Sequence, residues 1–179
     1  MIDALTLLAF VPAALALNLT PGADMMFCLG QGMRAGARPA VAASAGISAG
    51  VFVHALAAGL GLSALVAALP GALEAIRWAG VAYLLWLARG ALRGAADGGR
   101  GPALSAWAAF RQGLVVNLAN PKVILFVLAF VPQFVDPAGA VLAQFAVLGA
   151  VLAAGGFAIN AGVGLTAGGL GRRLAGSAA

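Results

Sequence analysis

Two short runs hold the residue types best suited to chemistry: Asn18-Leu19-Thr20-Pro21-Gly22 and Asn117-Leu118-Ala119-Asn120-Pro121-Lys122. Proline has no amide hydrogen, and its ring collides with the carbonyl four residues back, which is Leu17 for Pro21 and Asn117 for Pro121. The residue before it is pushed out of helical geometry. Thr20 and Asn120 are therefore expected to cap new half-helices that begin at the prolines. The positive end of such a half-helix, with its unpaired amides, attracts an anionic group such as a carboxylate. The expected substrate-binding set is Asn18, Thr20, Pro21, Gly22, Asn117, Asn120, Pro121 and Lys122. Prolines also kink membrane helices with no ligand nearby; recurrence of the motif favours a site.

Asp24 lies in or beside the first turn of its half-helix, where the dipole favours the ionised form. An acid at the centre of a membrane helix costs about 2.5–3.5 kcal/mol on insertion scales, which makes an idle one improbable. Lys122 stands at a positive helix end and needs a counter-ion, either Asp24 or a substrate carboxylate. An Asp24–Lys122 pair that only locks two segments together is the structural alternative. His54, the single histidine, falls on the row Gly46, Gly50, His54 at four-residue spacing. The glycines are expected to let a neighbouring helix approach. His54 either donates a hydrogen bond to that helix or carries protons, as histidine's ordinary pKa lies nearest neutrality. Asp24 and His54 are thus the proton-coupling candidates. No catalytic residue, metal ligand or cofactor is expected. His54 has no carboxylate near it in sequence, no HExxH is present, and the lone Cys28 excludes a disulfide framework and a thiolate metal cage.

These residues act only where the elements put them. Of 179 residues, 63% are apolar and 8% charged, with a mean hydropathy of +1.05, against about 25% charged in an average soluble domain. That excludes a soluble enzyme, a disordered tail and a nucleic-acid binder, since the net charge of +5 is scattered between apolar runs. A span needs about 20 residues to cross ~30 Å of hydrocarbon. The pattern predicts an all-α polytopic membrane protein with five spans, over about 4–33, 40–69, 75–92, 112–131 and 139–168. Spans one and four are broken at the Asn/Pro motifs. Measured from Arg34 and Arg111, the breaks lie roughly 20 and 15 Å deep, near the bilayer centre. Irregular backbone there must line a cavity or be buried in protein.

Basic residues near span ends stay cytoplasmic. Arg34, Arg38, Arg89, Arg93, Arg100, Arg111, Arg172 and Arg173 fall on one side, and Asp3, Glu74 and Asp136 with Arg77 on the other. This puts the N-terminus outside and residue 179 in the cytoplasm. Asp3, in place of a basic n-region, argues against a cleaved signal peptide ending at Ala14-Leu15-Ala16. Trp78 and Trp107 read as interfacial anchors. The expected organisation is a three-helix half over 1–93, a glycine-rich cytoplasmic loop over 94–111 and a second half over 112–179. An odd number of spans between the motifs inverts the second half, the plan of many secondary transporters.

The ordered set Asn-Leu-Thr-Pro-Gly-Ala-Asp at 18–24, Gly46/Gly50/His54, Trp-Ala-Gly-Val-Ala-Tyr-Leu at 78–84, Phe-Arg-Gln-Gly at 110–113, Asn-Leu-Ala-Asn-Pro-Lys at 117–122 and Pro-Gln-Phe at 132–134 resembles the LysE/RhtB family of amino-acid exporters over about residues 1–170. The resemblance implies a bacterial inner-membrane exporter of amino acids or close derivatives, of the lysine, homoserine, threonine or homoserine lactone type, exchanged for protons by alternating access. Its implied partners are the amino acid, protons and the lipid bilayer, with no nucleic acid; self-association into a homo-oligomer stays open. Members commonly carry a second proline where this chain has Ala23, and a sixth span. The expected architecture is therefore an inverted three-plus-three repeat with the last helix absent. A truncated or non-transporting membrane subunit, a span borrowed from another subunit and an active five-span variant all fit that pattern. A metal-ion exporter of a related superfamily would want clustered Asp, His or Cys ligands, which the sequence lacks.

Overall fold

The structure, a computed structural model, describes residues 2–68 and 103–177, and every regular element among them is helical. In chain order these are α1 (Ala4–Leu19), α2 (Ala23–Ala35), α3 (Ala37–Ala68), α4 (Ala106–Leu118), α5 (Pro121–Ala129), a 3-10 turn over Val131–Phe134, and α6 (Val141–Ser177). Parts of α3 (Ala37–Gly61) and α6 (Val141–Gly169) are each long and apolar enough to cross a bilayer. The pairs α1–α2 and α4–α5 qualify as broken spans, bent by 56° and 55°. The expected span over 75–92 lies outside the described residues, as do Trp78, Tyr83, Trp86, Glu74, Arg77, Arg89, Arg93 and Arg100.

Local chemistry sets the helix ends. Asp3 caps α1, its Oδ1 accepting from the Thr6 amide at 2.8 Å. At the other end the Thr20 amide and hydroxyl both donate to the Ala16 carbonyl, at 3.1 and 2.6 Å. The hydroxyl is thereby turned back onto α1, and Thr20 does not cap the next helix as expected. Gly22 does, in extended backbone with φ −167° and ψ −174°, and Pro21 lies in the link before it. The second break follows the expectation more closely, for α5 begins at Pro121 itself. Gly36, at φ 85°, ends α2 by donating to the Gly32 carbonyl at 3.1 Å. Glycine takes that left-handed conformation without a Cβ penalty, so α3 starts one residue later. Ser105 caps α4, its Oγ accepting from the Ala108 amide at 3.3 Å. Residues 106–111, expected in the loop, are helical because of that cap.

The described residues group into two compact units, one of 2–20, 51–68 and 121–152, the other of 21–50, 103–120 and 153–177. The first unit is built around Phe10, whose ring meets Phe134 edge-on at 5.3 Å, and around fully buried Phe145, Leu148 and Leu152. In the second unit Cys28, Ala43, Ile47 and Ala109 form the centre, with Phe27 and Leu104 packed on them. Leu5, Leu8, Leu15 and Leu19, on one stripe of α1, are 79, 68, 42 and 59% exposed. Such an outward apolar stripe suits lipid as its solvent.

Candidate functional site

A break in a helix at bilayer depth leaves backbone groups that lipid cannot satisfy. In the second unit the residue next to the first break is Asp24, in the first turn of α2 and 6% exposed. Its Oδ2 accepts from Asn117 Nδ2 at 2.9 Å. Asn117 is fully buried in the last turn of α4. A hydrogen bond to a charged group contributes about 1.5–3 kcal/mol, which is of the order of the ~2.5–3.5 kcal/mol insertion cost of the acid. Asn117 is therefore the kind of partner that makes Asp24 tolerable there.

Glycines deliver Asn117 to that position. A Cβ at Gly50 would stand 2.6 Å from Asn117 Oδ1 and 2.9 Å from its Cβ. One turn earlier, Gly46 faces the Phe110 carbonyl, and Gly113 of α4 faces the Ala43 carbonyl. With no side chain between them, the α3 and α4 backbones touch.

In the first unit the same problem is solved with a cation. Pro21 has no amide hydrogen to give the Leu17 carbonyl. Lys122 Nζ donates to that carbonyl at 3.2 Å and to the Thr20 carbonyl at 2.9 Å. An ammonium at the negative end of α1 is favoured by the helix dipole. Lys122, a poor fit to the positive end of α5, is thus anchored at the C-terminus of α1. Asn18 Nδ2 donates to the Leu152 carbonyl at 3.2 Å, fixing the same turn to α6. At the second break Asn120 N–H donates to the Asn117 carbonyl at 2.9 Å, which replaces the bond that Pro121 cannot give.

Each clasp joins a residue just after one break to the segment just before the other. Asn18, Thr20 and Lys122 meet in the first unit; Asp24, Gly50 and Asn117 meet in the second. His54 is half-buried on the first-unit part of α3, whereas Gly46 and Gly50 of its row belong to the second. Polar residues not singled out from the sequence also matter. Gln31, 1% exposed, accepts from the Leu104 amide at 3.3 Å and so ties the residues before α4 to α2. Ser44, fully buried, donates to the Phe157 carbonyl at 2.9 Å. Asn160 is 6% exposed on α6. Their shared signal was an isolated polar residue inside an apolar run. Among the described residues no three His, Cys, Asp or Glu side chains gather as a metal site would need.

A family profile described as LysE type translocator matches residues 15–179. The chain belongs to the LysE family. Its relatives include an uncharacterized membrane protein of Vibrio cholerae serotype O1, 36% identical over 145 residues, or 79% of this chain and 71% of the relative. A homoserine/homoserine lactone efflux protein of Salmonella typhimurium is 36% identical over 79% of this chain and 70% of its own. A leucine efflux protein of Enterobacter sp. is 32% identical over 71% and 62%. No solved structure matches the chain significantly. Family membership and the long apolar helices together make this LysE family chain a membrane protein.

Proposed function

We propose that this chain exports amino acids or close derivatives across the bacterial inner membrane, in exchange for protons and by alternating access. The observation that carries the reading is the buried Asp24 carboxylate, held by Asn117 at the first turn of a half-helix. A carboxylate can hold a substrate ammonium or a proton, not both at once, and that exclusivity couples opposite fluxes. The amides at the start of α2 are suited to the substrate carboxylate. Lys122 acts as a positioning residue that holds the end of α1, and His54 is the second proton-carrying candidate. The names of the relatives, efflux proteins for homoserine or its lactone and for leucine, support a small amino acid as cargo. The N-terminus outside and the Arg34 side in the cytoplasm follow the charge distribution.

The test uses the purified full chain in liposomes loaded with labelled homoserine or leucine. Efflux faster with acid outside than without a gradient is expected. Absence of flux for every amino acid tried would overturn the reading.

A further inference from the structure

Export by alternating access requires Asp24 to be reached from each side of the membrane in turn, and the second unit shows what covers it toward one of them. Asp24, Cys28 and Gln31 follow one another at four- and three-residue spacing along α2, so they share one face of the helix. All three are buried, at 6, 0 and 1% exposed. From Asp24 to Gln31 that face runs roughly 10 Å, toward Arg34 in the last turn. Around it Cys28, Ala43, Ile47 and Ala109 form one buried cluster, on which Phe27 and Leu104 pack. Gln31 Oε1 also accepts from the Leu104 amide at 3.3 Å. Leu104 is thus seated on the cluster beside Cys28 and tied to the residue that follows Cys28 on the same face.

The cluster has a fixed part and a movable one. Phe27, Cys28, Ala43, Ile47 and Ala109 are all in helices, and α3 and α4 touch backbone to backbone at Gly46 and Gly113. Leu104 lies outside any helix, just before the Ser105 cap of α4, and is only partly buried. Its amide is held by a neutral side chain. Segments with few buried contacts are the ones that open locally at least cost. We infer that Leu104, latched by Gln31, closes the Arg34 end of the path along α2, and that it withdraws, hinging at Ser105, when cargo or a proton reaches Asp24 from that end. The inference rests on the export reading, with the Arg34 side in the cytoplasm, and names the moving part of its site.

Cys28, the single cysteine of the chain and fully buried beside Leu104, is a built-in reporter of that opening. Inverted membrane vesicles and spheroplasts containing the full chain are treated with a charged, membrane-impermeant methanethiosulfonate, and the labelled fraction of Cys28 is followed with time. In inverted vesicles, which present the cytoplasmic face, Leu104→Ala should label at least about tenfold faster than the parent. Gln31→Leu, which keeps the apolar seat and removes the latch, should label at least about threefold faster and serves if Leu104→Ala fails to reach the membrane. From spheroplasts either change should stay within about twofold. Rates unchanged in inverted vesicles, or raised equally from both faces, overturn the inference. A second measurement ties the closure to transport. In a Cys28→Ala chain, Gln31→Cys and Leu104→Cys are bridged by a short reducible bis-methanethiosulfonate, and amino-acid efflux from liposomes is compared before bridging, after it, and after reduction. Bridging should slow efflux at least about tenfold, and reduction should restore it. Bridged chains that transport at the unbridged rate overturn the inference and leave export standing. A parent chain that carries no amino acid overturns the export reading, while the labelling still decides whether Leu104 covers this path.

Discussion

At the scale of single residues, each clasp has a measurable consequence. Asn117→Ala removes the donor to a buried carboxylate and should lower the stability of the detergent-solubilised chain by about 1.5–3 kcal/mol in thermal unfolding. Gly50→Ala should give a similar loss, about 1–3 kcal/mol, because the new Cβ would stand 2.9 Å from Asn117 Cβ, at the root of a side chain that cannot swing clear by its far end alone. Lys122→Gln should slow efflux while the amount of protein in the membrane stays the same; a variant that disappears from the membrane would assign Lys122 a purely structural role. At the chain start, hydrogen bonds from Thr6 hold the Asp3 carboxyl below the usual carboxylate range. Its capping contribution is complete above its unfolded pKa of 3.8 and is lost as pH falls through the lower folded value. Amide exchange at Thr6 should report fraying of α1 only under acid. Asp24 was legible in the sequence as an acid stranded in an apolar run. Asn117 as its partner was not, since that choice depends on how closely Gly46, Gly50 and Gly113 let two helices approach.

At the scale of elements, the prolines show how far local rules reach. Pro12 lies inside α1 without ending it, whereas Pro21 and Pro121 both mark breaks. At Pro21 the difference lies in the neighbours: Thr20 is already extended, with ψ 119°, and Gly22 prolongs the extended stretch. The existence of both breaks was readable from their motifs. The cap position was not, because a threonine hydroxyl can serve the helix behind it as well as the one ahead. Glycines divide in a comparable way. Gly61 and Gly162 have nothing within 4 Å of an added Cβ. Gly61→Ala and Gly162→Ala should each stabilise the chain by about 0.5–1 kcal/mol through helix propensity, measured by the same thermal unfolding. Destabilisation at either site would mean that it faces a close neighbour in the membrane.

At the scale of the whole molecule, each unit is assembled from described segments before residue 69 and after residue 102, and both clasps join the first part of the chain to the second. Residues 1–93 and 94–179, expressed as separate chains, should copurify and should each be degraded alone. A half that accumulates by itself would contradict that interdependence. The all-helical, apolar character of the described residues and the two breaks were legible, because hydropathy and proline motifs are local signals. The grouping into units was not, since it arises from contacts between distant segments such as Ser44 and Phe157.

The most direct test of the account is pH-gradient-driven amino-acid efflux from liposomes containing Asp24→Asn beside the parent chain. The substitution keeps a hydrogen-bonding group of the same size next to Asn117 and removes the charge. Efflux should fall at least about tenfold, with equal protein in the bilayer and no remaining response to the gradient. Gradient-driven efflux at the parent rate would contradict the central claim.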